Sequence, residues 1–218
     1  MVTLALLHTS PVHVPVFDAL RDEEHPGLAL RHLVHEGLLD RARQEGPEAV
    51  ADQLGAVLER AVADGAGAVL CTCSTIGGVA EARAAALGVP VLRVDRPMAA
   101  AAVAAGPAVT VLATVASTLA PTVALLEEEA ERAARPTDVR TVVVDGAWER
   151  FEAGDQDGYV GLIATAVERV AADGADVVVL AQASMAAAAA RCAVRVPVLA
   201  SPRPGLRAAA ALCGRPGT

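Results

Sequence analysis

Two segments of this chain place a residue with reactive or amide chemistry next to small hydroxyl residues, each ahead of a stretch of helical character: Cys73-Ser74-Thr75 and Gln182-Ala183-Ser184. Two more, His8-Thr9-Ser10-Pro11 and Thr114-Val115-Ala116-Ser117-Thr118, have the same make-up. Hydroxyls and free backbone N–H groups at helix starts hold a carboxylate, because they supply donors and the positive end of the helix dipole. A thiol in the same setting is favoured as its thiolate, and a thiolate beside a bound carboxylate can take a proton from the adjacent carbon. The donors that held the carboxylate then stabilise the enediolate charge that develops. Cys73 is therefore the candidate acid/base or nucleophile. Thr9, Ser74, Thr75, Thr114, Ser117, Gln182, Ala183 and Ser184 are the candidate substrate-binding residues. In any single loop a helix N-cap is the ordinary account of a hydroxyl, and the recurrence over four loops is what points to a site. An amide such as that of Gln182 hydrogen-bonds a substrate but does not shuttle a proton as a thiol does.

Several chemistries are excluded by what the chain lacks. Its 18 basic residues are all arginine, which removes a pyridoxal Schiff base, a lysine nucleophile and a P-loop lysine. The remaining cysteines, Cys71, Cys192 and Cys213, have no CxxC pairing or histidine at zinc spacing, so they read as small buried hydrophobes and no metal is expected. Cys71 lies two residues before Cys73 and so points the same way but deeper in the core. A net charge of −8 with 2% aromatic residues provides neither a basic footprint nor stacking platforms for nucleic acid. The apolar runs are too short for a membrane span, and the start MVTLALLHTSPVHVPVF has no basic leader, so a cytoplasmic protein is expected.

The elements that must position these residues are written twice. At one constant offset Glu59-Arg60 falls on Glu168-Arg169, Ala63-Asp64-Gly65-Ala66 on Ala172-Asp173-Gly174-Ala175, Cys73 on Gln182 and Thr75 on Ser184. Several matches in one order indicate duplication. Short apolar runs at Leu4 to Leu7, Ala68 to Cys71, Val109 to Leu112 and Val177 to Leu180 suit parallel strands covered on both faces. Between them lie helical stretches such as Pro47 to Asp64, with Gly65 and Gly174 at the expected C-caps. The fold class is α/β, with parallel sheets of about four strands flanked by helices and the site at the carboxyl ends of the strands. Similar halves commonly pack about a pseudo-two-fold axis, which puts the expected active site in the cleft between two lobes.

Over essentially its whole length the chain resembles the aspartate/glutamate/hydantoin racemase superfamily. Cys73-Ser74-Thr75 is similar to the Cys-Asn-Thr-like segment of its first cysteine, and Ala113-Thr114-Val115-Ala116-Ser117 to its Gly-Thr-x-Ala-Thr-like loop. Ala181-Gln182-Ala183-Ser184-Met185 is similar to the second-cysteine segment, Gly-Cys-Ala-Gly-Met in hydantoin racemases. The resemblance implies two pseudo-symmetric α/β lobes, here residues 1–97 plus 197–218 and residues 98–196. It also implies catalysis without a cofactor, a small carboxylate substrate and a homodimer or larger assembly. Because the second cysteine is replaced by Gln182, a one-thiol reaction is implied: racemisation or isomerisation through Cys73, with a lyase like arylmalonate decarboxylase, or a carboxylate sensor without catalysis, as alternatives. His8 follows the first strand, where many members carry an acidic residue, and is the candidate second catalytic group. The competing account of His8 is a hydrogen-bonded histidine at a strand end, while His13, His25, His32 and His35 read mostly as solvated surface.

Overall fold

Each of the four apolar runs becomes a strand, and alternation along it decides which side chains meet which helices. The computed structural model describes residues 2–213. In chain order the elements are β1 (Thr3–His8), α1 (His13–Glu24), β2 (Ala29–Val34), α2 (Glu36–Glu45), α3 (Ala51–Ala63), β3 (Ala66–Cys71), α4 (Ser74–Glu81), α5 (Ala84–Leu87) and β4 (Val91–Arg93). They continue with α6 (Arg96–Ala105), β5 (Ala108–Ala113), α7 (Leu119–Ala133), β6 (Asp138–Val143), α8 (Ala147–Glu152), α9 (Gln156–Ala172), β7 (Val177–Leu180), β8 (Val198–Ala200) and α10 (Pro202–Cys213). Short 3₁₀ segments occupy Pro47–Val50, Ala116–Thr118 and Ala183–Arg191.

The strands form two sheets, ordered β2-β1-β3-β4 and β6-β5-β7-β8, with every pairing parallel. Parallel neighbours need crossover connections, which the helices supply. The repeat read from sequence is thus a repeat of topology, and the fold is the expected α/β arrangement of two four-stranded parallel sheets. The chain divides into two compact units, residues 2–94 with 202–213, and Asp95–Ser201.

In the first unit the central strands are buried on both faces. Leu4, Leu6, Ala68 and Leu70 point one way and join Phe17 and Leu20 of α1 with Leu206 and Ala209 of α10. Ala5, Leu7, Val69 and Cys71 point the other way and join Leu38 of α2, Leu54 and Leu58 of α3 and Ile76 of α4. Two-residue alternation produces this division, and each leucine so buried contributes about 1.5–3 kcal/mol. The second unit repeats it: Val109, Val111, Val177 and Val179 pack with α6 and α7, and Leu112, Val178 and Leu180 with α9. Both α3 and α9 stop at a left-handed glycine, Gly65 at φ 91° and Gly174 at φ 92°, a conformation that a side chain disfavours.

The units are not successive pieces of chain. β4 leads into α6, whose Met98, Ala99, Ala102 and Val103 lie in a core of the second unit. β8 leads into α10, whose Leu206, Ala209 and Cys213 return to a core of the first. Close approach of α10 depends on Gly205, where a Cβ would stand 2.5 Å from the Val94 carbonyl oxygen. Because backbone cannot turn aside as a side chain can, Gly205→Ala is expected to destabilise the protein by about 1–3 kcal/mol. An unchanged urea midpoint would show that the helix can shift freely. Among the described residues no helix is long and apolar enough to cross a membrane.

Candidate functional site

Parallel strands bring their carboxyl ends to one edge, so in each unit the loops singled out in the sequence gather there. In the first unit Cys73 is the extended residue (φ −104°, ψ 115°) between β3 and α4. It is half-buried and packs against the core on the α2–α4 side. Ser74 and Thr75 form the start of α4 and are both buried, as is Thr9 just past β1. Cys71 is fully buried, and its Sγ donates to the Cys73 carbonyl at 3.7 Å. The thiol behind Cys73 therefore packs, while Cys73 itself keeps partial access.

His8 is placed differently from Cys73. Alternation continues Leu4 and Leu6 into His8, and Ala68 and Leu70 into Thr72, which puts both on the α1 side of the sheet, the face opposite Cys73. His8 is fully buried, with Nδ1 2.8 Å from Thr72 Oγ1 and Nε2 2.8 Å from His32 Nδ1. Burial, reinforced by the charges of His32 and His13, lowers its pKa from 6.5 to about 3. Both ring nitrogens are thus committed to protein partners on an imidazole that stays neutral. His32 and His13 do not behave as solvated surface histidines: His32 Nε2 lies 3.3 Å from Asp18 Oδ1, and burial lowers the His13 pKa to about 4.

In the second unit Gln182 has the backbone of Cys73, extended at φ −118° and ψ 140°. Its Oε1 accepts from the Thr114 backbone N–H at 2.6 Å and from Thr114 Oγ1 at 3.0 Å. With the carbonyl held twice, the orientation of the amide is set and its NH₂ is the part that remains to meet an acceptor. Ala183 is buried, and Ser184 Oγ lies 2.8 Å from the hydroxyl of Tyr159. Tyr159 is fully buried in α9, and burial pushes its phenol above the usual range. The Ser117 hydroxyl is buried with no hydrogen-bond partner among the described residues.

Two arginines close to strand ends, Arg96 after β4 and Arg203 after β8, are engaged by glutamates. Arg96 contacts Glu128 at 3.0 Å and Glu129 at 2.5 Å, and Arg203 pairs with Glu23 at 2.9 Å and with Glu24. Cys192, expected to be buried, is half-buried, its Sγ donating to the Ala188 carbonyl at 3.0 Å. A shallow depression lined by Ala108, Asp138, Arg140 and Asp173 lies at the amino edge of the second sheet, the end away from these loops.

Thr72, His32, Asp18 and Tyr159 are parts of these clusters that sequence reasoning did not single out. His32 is revealed only by strand pairing, which sets it beside Leu6 in the β1–β2 register and on the same side of the sheet. Tyr159 repeats with Ile163, Val167 and Val170 at helical spacing, which marks the buried face of α9.

Comparison with known structures agrees with this architecture. The aspartate racemase of Picrophilus torridus superposes with a TM-score of 0.71 at 14% identity, over 100% of this chain and 96% of that one. Arylmalonate decarboxylase superposes with a TM-score of 0.60 at 21% identity, over 99% and 96%. Allantoin racemase of Pseudomonas fluorescens gives 0.61 at 21%, over 97% and 90%. Racemases and a decarboxylase thus share the fold. No curated protein sequence matches the chain. The sequence model described as Asp/Glu/Hydantoin racemase matches residues 16–209, which includes β2 to β8 and all four loops except the first. On that match, the chain belongs to the Asp/Glu/hydantoin racemase family.

Proposed function

We propose that this protein is a cofactor-independent enzyme acting at the carbon next to a carboxylate, with Cys73 as its working thiol. The observation that carries the proposal is the position of Cys73, half-buried at the carboxyl end of β3 and followed at once by the buried hydroxyls of Ser74 and Thr75 in the first turn of α4. A carboxylate held there by Thr9, Ser74, Thr75 and backbone N–H groups brings its α-carbon within reach of sulfur. The thiolate removes the α-proton, the electron pair moves into the carboxylate as an enediolate, and the same hydrogen bonds strengthen as charge develops. Return of a proton to carbon completes racemisation or isomerisation. Thr114, Ser117, Gln182, Ala183 and Ser184 are assigned to substrate binding. His8 is not retained as a proton-transfer group, because it is enclosed, neutral and bonded at both nitrogens.

A second reading, decarboxylation, is favoured by Gln182, an amide where the family resemblance places a second thiol. In that reaction the bond from the α-carbon to one carboxylate breaks and carbon dioxide leaves with the electron pair kept as an enediolate. The Cys73 S–H proton then goes to carbon, and solvent reprotonates the sulfur. One thiol suffices.

Incubation with a panel of 2-substituted carboxylic acids and 2-substituted malonic acids in D₂O separates these readings. Deuterium at the α-carbon without loss of mass supports proton abstraction, and a shorter deuterated acid with carbon dioxide supports decarboxylation. Binding of an acid with neither outcome would overturn the enzyme proposal in favour of a sensor.

A further inference from the structure

The first unit carries a hydrogen-bonded chain that the proposed chemistry does not use. It runs from Asp18 on α1 to His32 on β2, His8 at the end of β1 and Thr72 directly after β3. Both ring nitrogens of His8 and of His32 have partners, and Thr72 is held a second time, since its Oγ1 lies 3.1 Å from the Leu7 carbonyl. A hydroxyl and an imidazole can each donate or accept, so the four groups form a continuous chain once one ring's tautomer is set, and each bond then fixes the direction of the next.

Other groups enclose the chain. Arg21 lies 3.3 Å from Asp18. His13, with its ring 6.2 Å from that of His8, is a second neutral imidazole, held so by burial. Phe17 covers His8 at 5.6 Å and closes it from water. At the far end, the Thr72 backbone N–H also donates to the Leu7 carbonyl at 2.9 Å, so one oxygen fastens the last turn of chain before Cys73.

We infer that Asp18, His32, His8 and Thr72 form a hydrogen-bonded strut that ties α1 and the ends of β1, β2 and β3 together and thereby positions Cys73. These are positioning residues, since they lie on the face of the sheet opposite Cys73 and act on it only through the Thr72–Cys73 backbone. The functional consequence rests on Cys73 being the working thiol, whereas the strut itself is tested without any substrate.

In ¹⁵N-histidine-labelled protein at pH 5.5, two-bond ¹H–¹⁵N spectra are expected to show His8 neutral and fixed in a single tautomer. A His8 signal averaged between the two tautomers, or one with two protons, would overturn the strut. Thr72→Val removes the hydroxyl that links His8 to Leu7. Peptide mapping after iodoacetamide treatment is then expected to show Cys73 alkylated severalfold faster, with Cys192 in the second unit unchanged as a control for global unfolding. Thr72→Ser restores the hydroxyl and is expected to return both the Cys73 rate and the His8 tautomer to those of the parent. Equal Cys73 rates in parent and Thr72→Val would refute the positioning role, and the spectra of the parent protein decide the strut even if the valine variant fails to fold. Neither readout involves turnover, so loss of the strut and loss of the enzyme proposal are separable.

Discussion

Cys73→Ala is expected to reduce turnover of any acid the protein processes by on the order of 10² to 10⁴-fold, the usual contribution of a positioned acid/base group. The side chain is half-buried and only its sulfur is removed to any extent, so the fold is expected to persist with an unchanged circular dichroism spectrum. Cys73→Ser keeps the shape with a hydroxyl that ionises far less readily, and it is expected to fall close to the alanine variant. If substrate binding is retained in both, the loss belongs to kcat and not KM, as it must for a group that acts in the transition state. Unimpaired α-deuteration by Cys73→Ala would remove Cys73 from the reaction.

Acid is expected to undermine the first unit well before ordinary carboxylate titration begins. His8 and His13 are held neutral by burial, down to about 3 and about 4 respectively. In the unfolded chain both take a proton near pH 6.5, so between that value and the folded ones the unfolded state binds more protons. Their contribution is therefore fully present above pH 6.5 and is lost as pH falls, by about 1.4 kcal/mol per pH unit for each ring. By pH 5 the combined loss is about 4 kcal/mol, a large share of the stability of a small α/β unit. Urea unfolding at pH 7, 6 and 5 measures it, and His8→Gln should flatten the dependence by about one ring's share. Stability that held constant from pH 7 to pH 5 would contradict the neutral burial of these histidines.

The central strands were legible because a strand covered on both faces must be apolar at every position, and Leu4 to Leu7 or Val177 to Leu180 leave little alternative. The edge strand β6 is weaker in sequence, Asp138-Val139-Arg140-Thr141-Val142-Val143, because much of it meets solvent. The loop at Cys73 was legible through its hydroxyl neighbours and its match to Gln182. The histidine chain was not, since His32 follows Arg31 in a strand of mixed polarity and its burial comes from α1 and β1 packing over it. After Gln182 the five alanines from Ala186 to Ala190 favour an α-helix, yet the segment Ala183–Arg191 is 3₁₀. Met185 and Ala188 are both buried there, three residues apart, which matches the 3₁₀ repeat and shows packing overriding propensity.

The exchange of α6 and α10 also sets an order of events at the ribosome. The second unit, Asp95–Ser201, is an uninterrupted segment, and all of its strands and helices exist once Ser201 has emerged. The first unit is begun earlier but lacks α10 until residues 202–213 follow, and until then Leu4, Leu6, Phe17 and Leu70 have no Leu206 or Ala209 against them. The unit that carries Cys73 is therefore synthesised first and completed last. During that interval its sheet keeps one apolar flank only partly covered, and the unit is completed by the docking of a single twelve-residue helix.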